Sequence, residues 1–145
     1  MAFTGRFEHS LDAKNRLTVP ARFRAALSGT VYVVRGADPC VSIYPEAVYA
    51  EMAQQSTAGM NPLSAQARQA RRFFYSQADE VELDGAGRVT LQPRHLEHAQ
   101  IEGRETVIAG SGDCLEVWDR TAWERYESDL KAHGAELTEN LGHPA

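Results

Sequence analysis

Asp12 and Arg16 stand four residues apart in "LDAKNRLTV", and Asp84 and Arg88 repeat the spacing in "LDGAGRVTL", 72 positions later. A carboxylate and a guanidinium so placed can do two kinds of chemistry. The carboxylate can accept hydrogen bonds from the backbone N–H groups of a turn and pair with the arginine across it. On a rigid turn or ribbon, the guanidinium can enter a DNA major groove and bind guanine O6 and N7 as a two-pronged donor, while a nearby lysine serves phosphate. The first reading makes Asp12 and Asp84 turn-forming. The second makes Arg16, Arg88 and the intervening Lys14 candidates for DNA contact. The two roles are compatible, because an arginine held by its aspartate is already oriented. Gly87 and Asn15 precede the two arginines. Both residue types tolerate positive φ, so one turn is expected in both copies.

The elements that must carry these turns also occur twice. After Arg16, Leu17 and Val19 face opposite to Arg16 and Thr18, as in a strand with one buried side. Pro20 suits the first turn of a helix, and Val19, Phe23 and Leu27 recur every four residues on one face of it. Arg22 and Arg24 then lie nearer solvent and, with Arg6, are candidates for phosphate contact. "TVYVVRG" and "CVSIYP" read as strands, and Pro45 opens an amphipathic helix. The second copy runs in the same order: "GRVTL" as strand, "QPRHLEHA" as helix, "ETVIAG" and "CLEVWD" as strands. Asp119 is placed to N-cap a last helix with Ala122, Trp123, Tyr126 and Leu130 on one face. Between the copies, "QQSTAGMN" reads as a mobile linker. Asn61-Pro62 signals the start of a helix with Leu63, Ala67, Ala70 and Phe74 as its apolar stripe and Arg68, Arg71 and Arg72 as its charge. The final "GAELTENLGHPA" reads as frayed.

Net charge is −5, which argues against a polyanionic partner until its distribution is read. Residues 1–76 carry nine Lys/Arg against five acids, and residues 77–145 carry six against fifteen. Such asymmetry fits a basic face on an otherwise acidic chain. No window reaches the ~20 apolar residues of a membrane span, and the opening residues lack a secretory h-region. Cys40 and Cys114 follow the two repeats at matching places and read as small buried hydrophobes, kept reduced. His95 and His98 could share a helix face, but no third ligand accompanies them, so no metal site is expected. There is no GxSxG and no phosphate-cradling glycine loop, and "GADPC" and "GSGDC" read as turns. A non-catalytic chain without cofactor follows. Most phenylalanines and both tryptophans fall on apolar faces, so base stacking on single strands is disfavoured.

The stretches "FTGRFEHSLDAKNRLTVPARFR" and "ARQARRFFYSQADEVELDGAGRVTLQP" resemble the MraZ family of bacterial transcription regulators, within the AbrB-like superfamily, over Phe3 to about Leu130. The resemblance implies an α+β, mainly β fold: two tandem AbrB-like swapped-hairpin modules forming a pseudo-dyad β-barrel with flanking helices. It sets module 1 at residues 5–48, a linker and central basic helix at 49–76, module 2 at 77–121, and a C-terminal helix and tail at 122–145. It also implies a DNA-binding regulator, usually a repressor, of the division and cell-wall gene cluster including its own operon. Such a regulator would act on double-stranded promoter DNA with direct repeats, as a homo-oligomeric ring in the cytoplasm and nucleoid. Lys14, Arg16 and Arg88 are the motif-matched DNA-binding positions. Three departures stand out: Asn15 where glycine is usual, Ala86 in the place of Lys14, and Gln92 with His95-Leu96 in a Pro-x-x-Leu-Arg stretch. The rival reading is a protein-interaction module, either antitoxin-like, a role the acidic 97–139 region would suit, or binding the neighbouring rRNA methyltransferase, as the resemblance suggests.

Overall fold

Each Asp-to-Arg turn leads into a strand of only three residues, so neither copy can complete a sheet from its own leading strands. A computed structural model describes residues 2–142. Its elements are β1 (Arg6–Ser10), β2 (Arg16–Thr18), β3 (Thr30–Arg35), β4 (Val41–Pro45), α1 (Glu46–Ser56), α2 (Ala65–Ser76), β5 (Asp79–Glu82), β6 (Arg88–Thr90), α3 (Pro93–His98), β7 (Glu105–Gly110), β8 (Leu115–Asp119), α4 (Arg120–Ala132) and α5 (Gly134–Glu139). The hairpins β3–β4 and β7–β8 form within the copies, whereas β1 pairs with β7, β5 with β3, β4 with β8 and β2 with β6. The copies are therefore interleaved. All pairings are antiparallel, giving a six-stranded sheet in the order β1-β7-β8-β4-β3-β5 and a separate β2–β6 ribbon. Exchanging the two copies reverses that order, so the topology has two-fold character. The sheet has edges at β1 and β5, so the pairing is an open sheet plus a ribbon and not one closed barrel. The fold is mixed α/β.

The ribbon's inner side and the sheet share one core. Leu17 and Val89, directly opposite each other, are buried with Val19, Leu91, Val31 and Ile108. Phe23 joins this core and meets the rings of Phe3 and Phe7 at 5.3 and 5.8 Å. Burying such a Leu or Val side chain contributes about 1.5–3 kcal/mol, so the ribbon is anchored despite its length. Cys40 and Cys114 are free and buried, and desolvation lifts their thiols to about 12 and about 11.

Several local expectations change in three dimensions. Val19, Phe23 and Leu27 are buried as the spacing requires, but Ala21–Phe23 is a single 3-10 turn and not an α-helix. The equivalent stretch of the second copy does form a short helix, α3, whose start is tied by the Gln92 N–H to His95 Nδ1; Pro20, at the place of Gln92, has no N–H to donate and no side-chain cap. Asn61 does not start α2. Its side chain accepts from the Leu63 N–H, and Ser64 is the cap, accepting from Ala67 N–H at 3.1 Å. Leu63 therefore lies outside the helix and 81% exposed, while Ala67 is buried. Gln54 to Ser56 belong to α1, which ends in a turn from Thr57, so only the first three residues of the expected linker are helical and the rest is turn and irregular chain. Asp119 caps α4 as expected, through Ala122 N–H at 3.1 Å. Tyr126 stacks on Trp118 at 4.8 Å but stays partly exposed, as does Leu130. The tail expected to fray forms α5, and residues 143–145 lie outside the described residues.

His95 and His98 have structural partners. His95 Nδ1 accepts from Gln92 N–H at 3.0 Å, which leaves Nε2–H to donate to Asp79 Oδ2 at 2.8 Å. This neutral ring ties the start of α3 to β5. Burial pushes its pKa down, against the opposing pull of Asp79, with Arg94 and Arg35 adding to the depression. His98 Nε2 donates to the carbonyls of Gly36 and Asp38 at 2.8 and 3.1 Å.

Two outcomes follow from this packing. A Cβ on Gly110 would lie 2.5 Å from the Phe3 carbonyl carbon and Thr4 nitrogen, because the chain start crosses directly over it. Gly110→Ala should cost about 1–3 kcal/mol, lower Tm by several degrees and speed amide exchange at Phe3 and Gly112. For His95, the folded state favours the neutral ring. Its contribution to stability is complete above the ordinary value of 6.5 and is lost as pH falls through the lowered folded value. Melting curves from pH 7.5 to 5 should fall more steeply in the wild type than in His95→Gln.

Candidate nucleic-acid interface

The two turns are built from the same bonds. Asp12 Oδ1 accepts from the backbone N–H of Lys14 and of Arg16, both at 2.9 Å, and Oδ2 accepts from Arg16 Nε at 2.6 Å. Asp84 Oδ1 accepts from Ala86 and Arg88 N–H, both at 2.9 Å, and Oδ2 from Arg88 Nε at 2.8 Å. The backbone closes each turn between Asp12 and Asn15 and between Asp84 and Gly87, at 3.0 and 2.9 Å. Asn15 and Gly87 take the left-handed conformation, φ 58° and 74°. Asp12 is held down to about 2, first by the Arg16 backbone N–H and then, against some desolvation, by the Arg16 side chain. Asp84 is lowered for the same reasons.

The turns sit at opposite ends of the β2–β6 ribbon. Arg16 pairs with Thr90, Leu17 with Val89 and Thr18 with Arg88. The ladder runs on into the turns, with Val19 N–H donating to Gly87 O and Leu91 N–H to Asn15 O, both at 2.9 Å. Since Leu17 and Val89 fill the core, strand alternation sends Arg16, Thr18, Arg88 and Thr90 outward together. Arg16 and Arg88 are then diagonal neighbours on one face, about 7–8 Å apart. Only Nε of each is used by its aspartate. Among the described residues neither Nη atom of Arg16 or Arg88 has a hydrogen-bond partner. Each arginine is fixed at one edge and open at its forked end, the end that can donate to two acceptors. Lys14 stands beside Arg16, and Ala86 holds the equivalent place beside Arg88. The major groove, about 12 Å wide, admits a two-stranded ribbon of this kind.

The remaining basic candidates have different surroundings. Arg6 is paired with Glu127 of α4. Arg22 lies over the Phe23 and Phe7 rings, 4.6 and 5.0 Å from their centroids, and donates to the Thr4 carbonyl at 2.6 Å. Arg24 donates from Nε to the Val19 carbonyl at 3.1 Å. The ribbon brings together Lys14, Arg16 and Arg88 but not Arg6, whose partner is on α4. Thr18 and Thr90 are outward members of the face that charge-based reading passes over; their alternation with Leu17 and Val89 is the signal that finds them.

The chain is matched twice by the family model described as "MraZ protein, putative antitoxin-like", over residues 2–73 and 74–141. It is similar to proteins named "Transcriptional regulator MraZ" from three bacteria. Identity is 38% over 139 residues with that of Desulforamulus reducens, covering 96% of each chain. It is 38% over 142 residues with that of Lactiplantibacillus plantarum, covering 96% of this chain and 97% of the other. It is 39% over 139 residues with that of Moorella thermoacetica, covering 96% of each. Among the described residues no helix is long and apolar enough to cross a membrane.

The clamp can be opened without removing the turn. Asp12→Asn keeps an oxygen for the backbone N–H groups but sets an amide opposite Arg16 Nε, which should free the guanidinium. Melting should change little, while the Arg16 Nε–H signal in NMR should broaden and exchange faster. In the wild type the same signal should survive acidification below the usual carboxylate range. Its clamped chemical shift should give way to that of a free arginine as pH falls through about 2, since the lowered carboxylate gives its support above that value.

Proposed function

The chain belongs to the MraZ family, and from that premise we propose that it is a sequence-specific DNA-binding transcriptional regulator that reads duplex DNA with the outer face of the β2–β6 ribbon. The observation that carries this reading is the pair of arginines on that face, each held by its own aspartate and open at its forked end. In this reading Arg16 and Arg88 contact base edges, and Lys14 contacts phosphate. The exchanged strand pairing supports two swapped-hairpin modules, at residues 5–48 and 77–121, related by a pseudo-dyad. The family resemblance supplies the rest: repression of the division and cell-wall gene cluster including its own operon, direct repeats as operator, and a ring of protomers in the cytoplasm and nucleoid. Several modest contacts on adjacent protomers sum to tight binding through effective concentration. The chemistry asked of these residues is recognition and not catalysis.

A second reading has its own observation. The family description includes the words "antitoxin-like", and the acidic half of the chain could bind a protein partner. The Arg16→Ala/Arg88→Ala pair separates the two, since it removes the DNA-reading forks and leaves the acidic half unchanged.

Binding to a duplex from upstream of the chain's own gene should exceed binding to a scrambled duplex across a salt series. Arg16→Ala should cost about 1–3 kcal/mol of that discrimination, roughly 5- to 150-fold in affinity for the native duplex. Lys14→Ala should weaken both duplexes alike and flatten the salt dependence. Equal binding of both duplexes by folded wild-type protein would overturn the proposal.

A further inference from the structure

The two reading turns are unequal in charge, and the fold corrects the inequality from an unexpected place. At the first turn, Lys14 accompanies the clamped Arg16. At the second, Ala86 leaves Arg88 alone with Asp84. Yet Arg24, which belongs to the first copy, lies across the second turn. A Cβ on Gly87 would fall against Arg24 Nε and 2.7 Å from its Cδ and Cζ, so the guanidinium covers the residue directly before Arg88. Arg24 Nε is anchored on the Val19 carbonyl at 3.1 Å, and Val19 N–H is itself bonded to Gly87 O at 2.9 Å. The remaining guanidinium nitrogens of Arg24 have no hydrogen-bond partner among the described residues. The position equivalent to Arg24 in the second copy is Leu96, an apolar side chain packed on the core, so the first turn has no such arginine.

Beside Arg24 is an open hollow of about 290 Å³, lined also by Ser28, Gly29, Glu82, Asp84 and Gly85. Gly29 and Gly85 leave open space where side chains would begin, which admits close approach of another backbone. Both oxygens of Asp84 are already occupied by its own turn. Glu82 is then the acid at the rim that is left to oppose an anion.

We infer that Arg24 is the phosphate contact of the second reading turn, lent across the module boundary to do there what Lys14 does at the first turn. This rests on the DNA-binding reading above. Each end of the ribbon then presents two cations, Lys14 with Arg16 and Arg24 with Arg88. Arg24 also positions the turn through Gly87, so the test separates its charge from its packing.

Arg24→Gln, Ala86→Lys and the double variant are compared with wild type on the native and scrambled duplexes across a salt series, with melting curves to establish folding. The expected result for Arg24→Gln is a proportionate weakening on both duplexes and a salt slope shallower by about 0.9 for each protomer engaged. The double variant should recover the slope, because the introduced lysine restores a cation on the same turn. Ala86→Lys alone, which disturbs none of the contacts described, should add little, the phosphate being already paired. A slope unchanged in Arg24→Gln, a slope not recovered in the double variant, or a full-unit gain in Ala86→Lys alone would each overturn the assignment. Loss of sequence preference at unchanged slope would also overturn it, reducing Arg24 to a prop for the turn. Wild-type protein that does not prefer the native duplex would fail the underlying reading instead, a distinguishable result.

Discussion

The whole outer face depends on Leu17 and Val89 meeting beneath the ribbon. They are directly paired and completely buried, and side chains alternate along a strand with a period of two. A register slip of one residue would turn these two side chains out and drive Arg16 and Arg88 into an apolar core. An unpaired buried charge there would cost several kcal/mol, so the register is strongly specified. The same constraint that stabilises the domain therefore fixes which residues can be offered to a ligand. The aspartate clamps refine this placement; they do not create it.

Clamping also separates two properties that surface arginines usually combine. Each Asp–Arg pair is close to neutral at a distance, so Arg16 and Arg88 add little to long-range attraction while keeping a directional donor fork. General attraction to a polyanion must then come from unpaired cations near the ribbon. This division suits a chain of net charge −5, which cannot rely on bulk attraction to nucleic acid.

What could be read from the sequence was mostly local. The shared turn followed from Asn15 and Gly87, the α4 cap from Asp119, and the core stripe of Val19, Phe23 and Leu27 from its spacing, because each depends on neighbours within a few residues. Membership of the family was legible in the two quoted stretches. The exchange of strands between copies could be expected from the family resemblance alone and not from local pattern, because β1 with β7 and β5 with β3 are pairings across distant sequence. The roles of the N-terminal arginines were hidden for the same reason. Arg6 reaches Glu127 and Arg22 covers Phe7, so a tally of basic residues overstates the charge available to a partner. For His95 the sequence offered only a helix face shared with His98; its bonds to Gln92 N–H and to Asp79 depend on how α3 packs against β5.

The placement of Arg24 over Gly87, with Leu96 at the matching place, has a consequence for how the molecule is laid along a target. A dimer of identical chains is bound by its two-fold axis to treat both directions of a duplex alike, which is why such dimers match palindromes. A pair of modules fused in one chain carries no such obligation, and here its two ends have drifted apart in chemistry. The ribbon has a head and a tail. Copies set down in the same orientation would be equivalent to each other in a way that facing copies are not, the two ends being told apart by Lys14 against Ala86 and by Arg24, which crosses from the first module to the second, against Leu96.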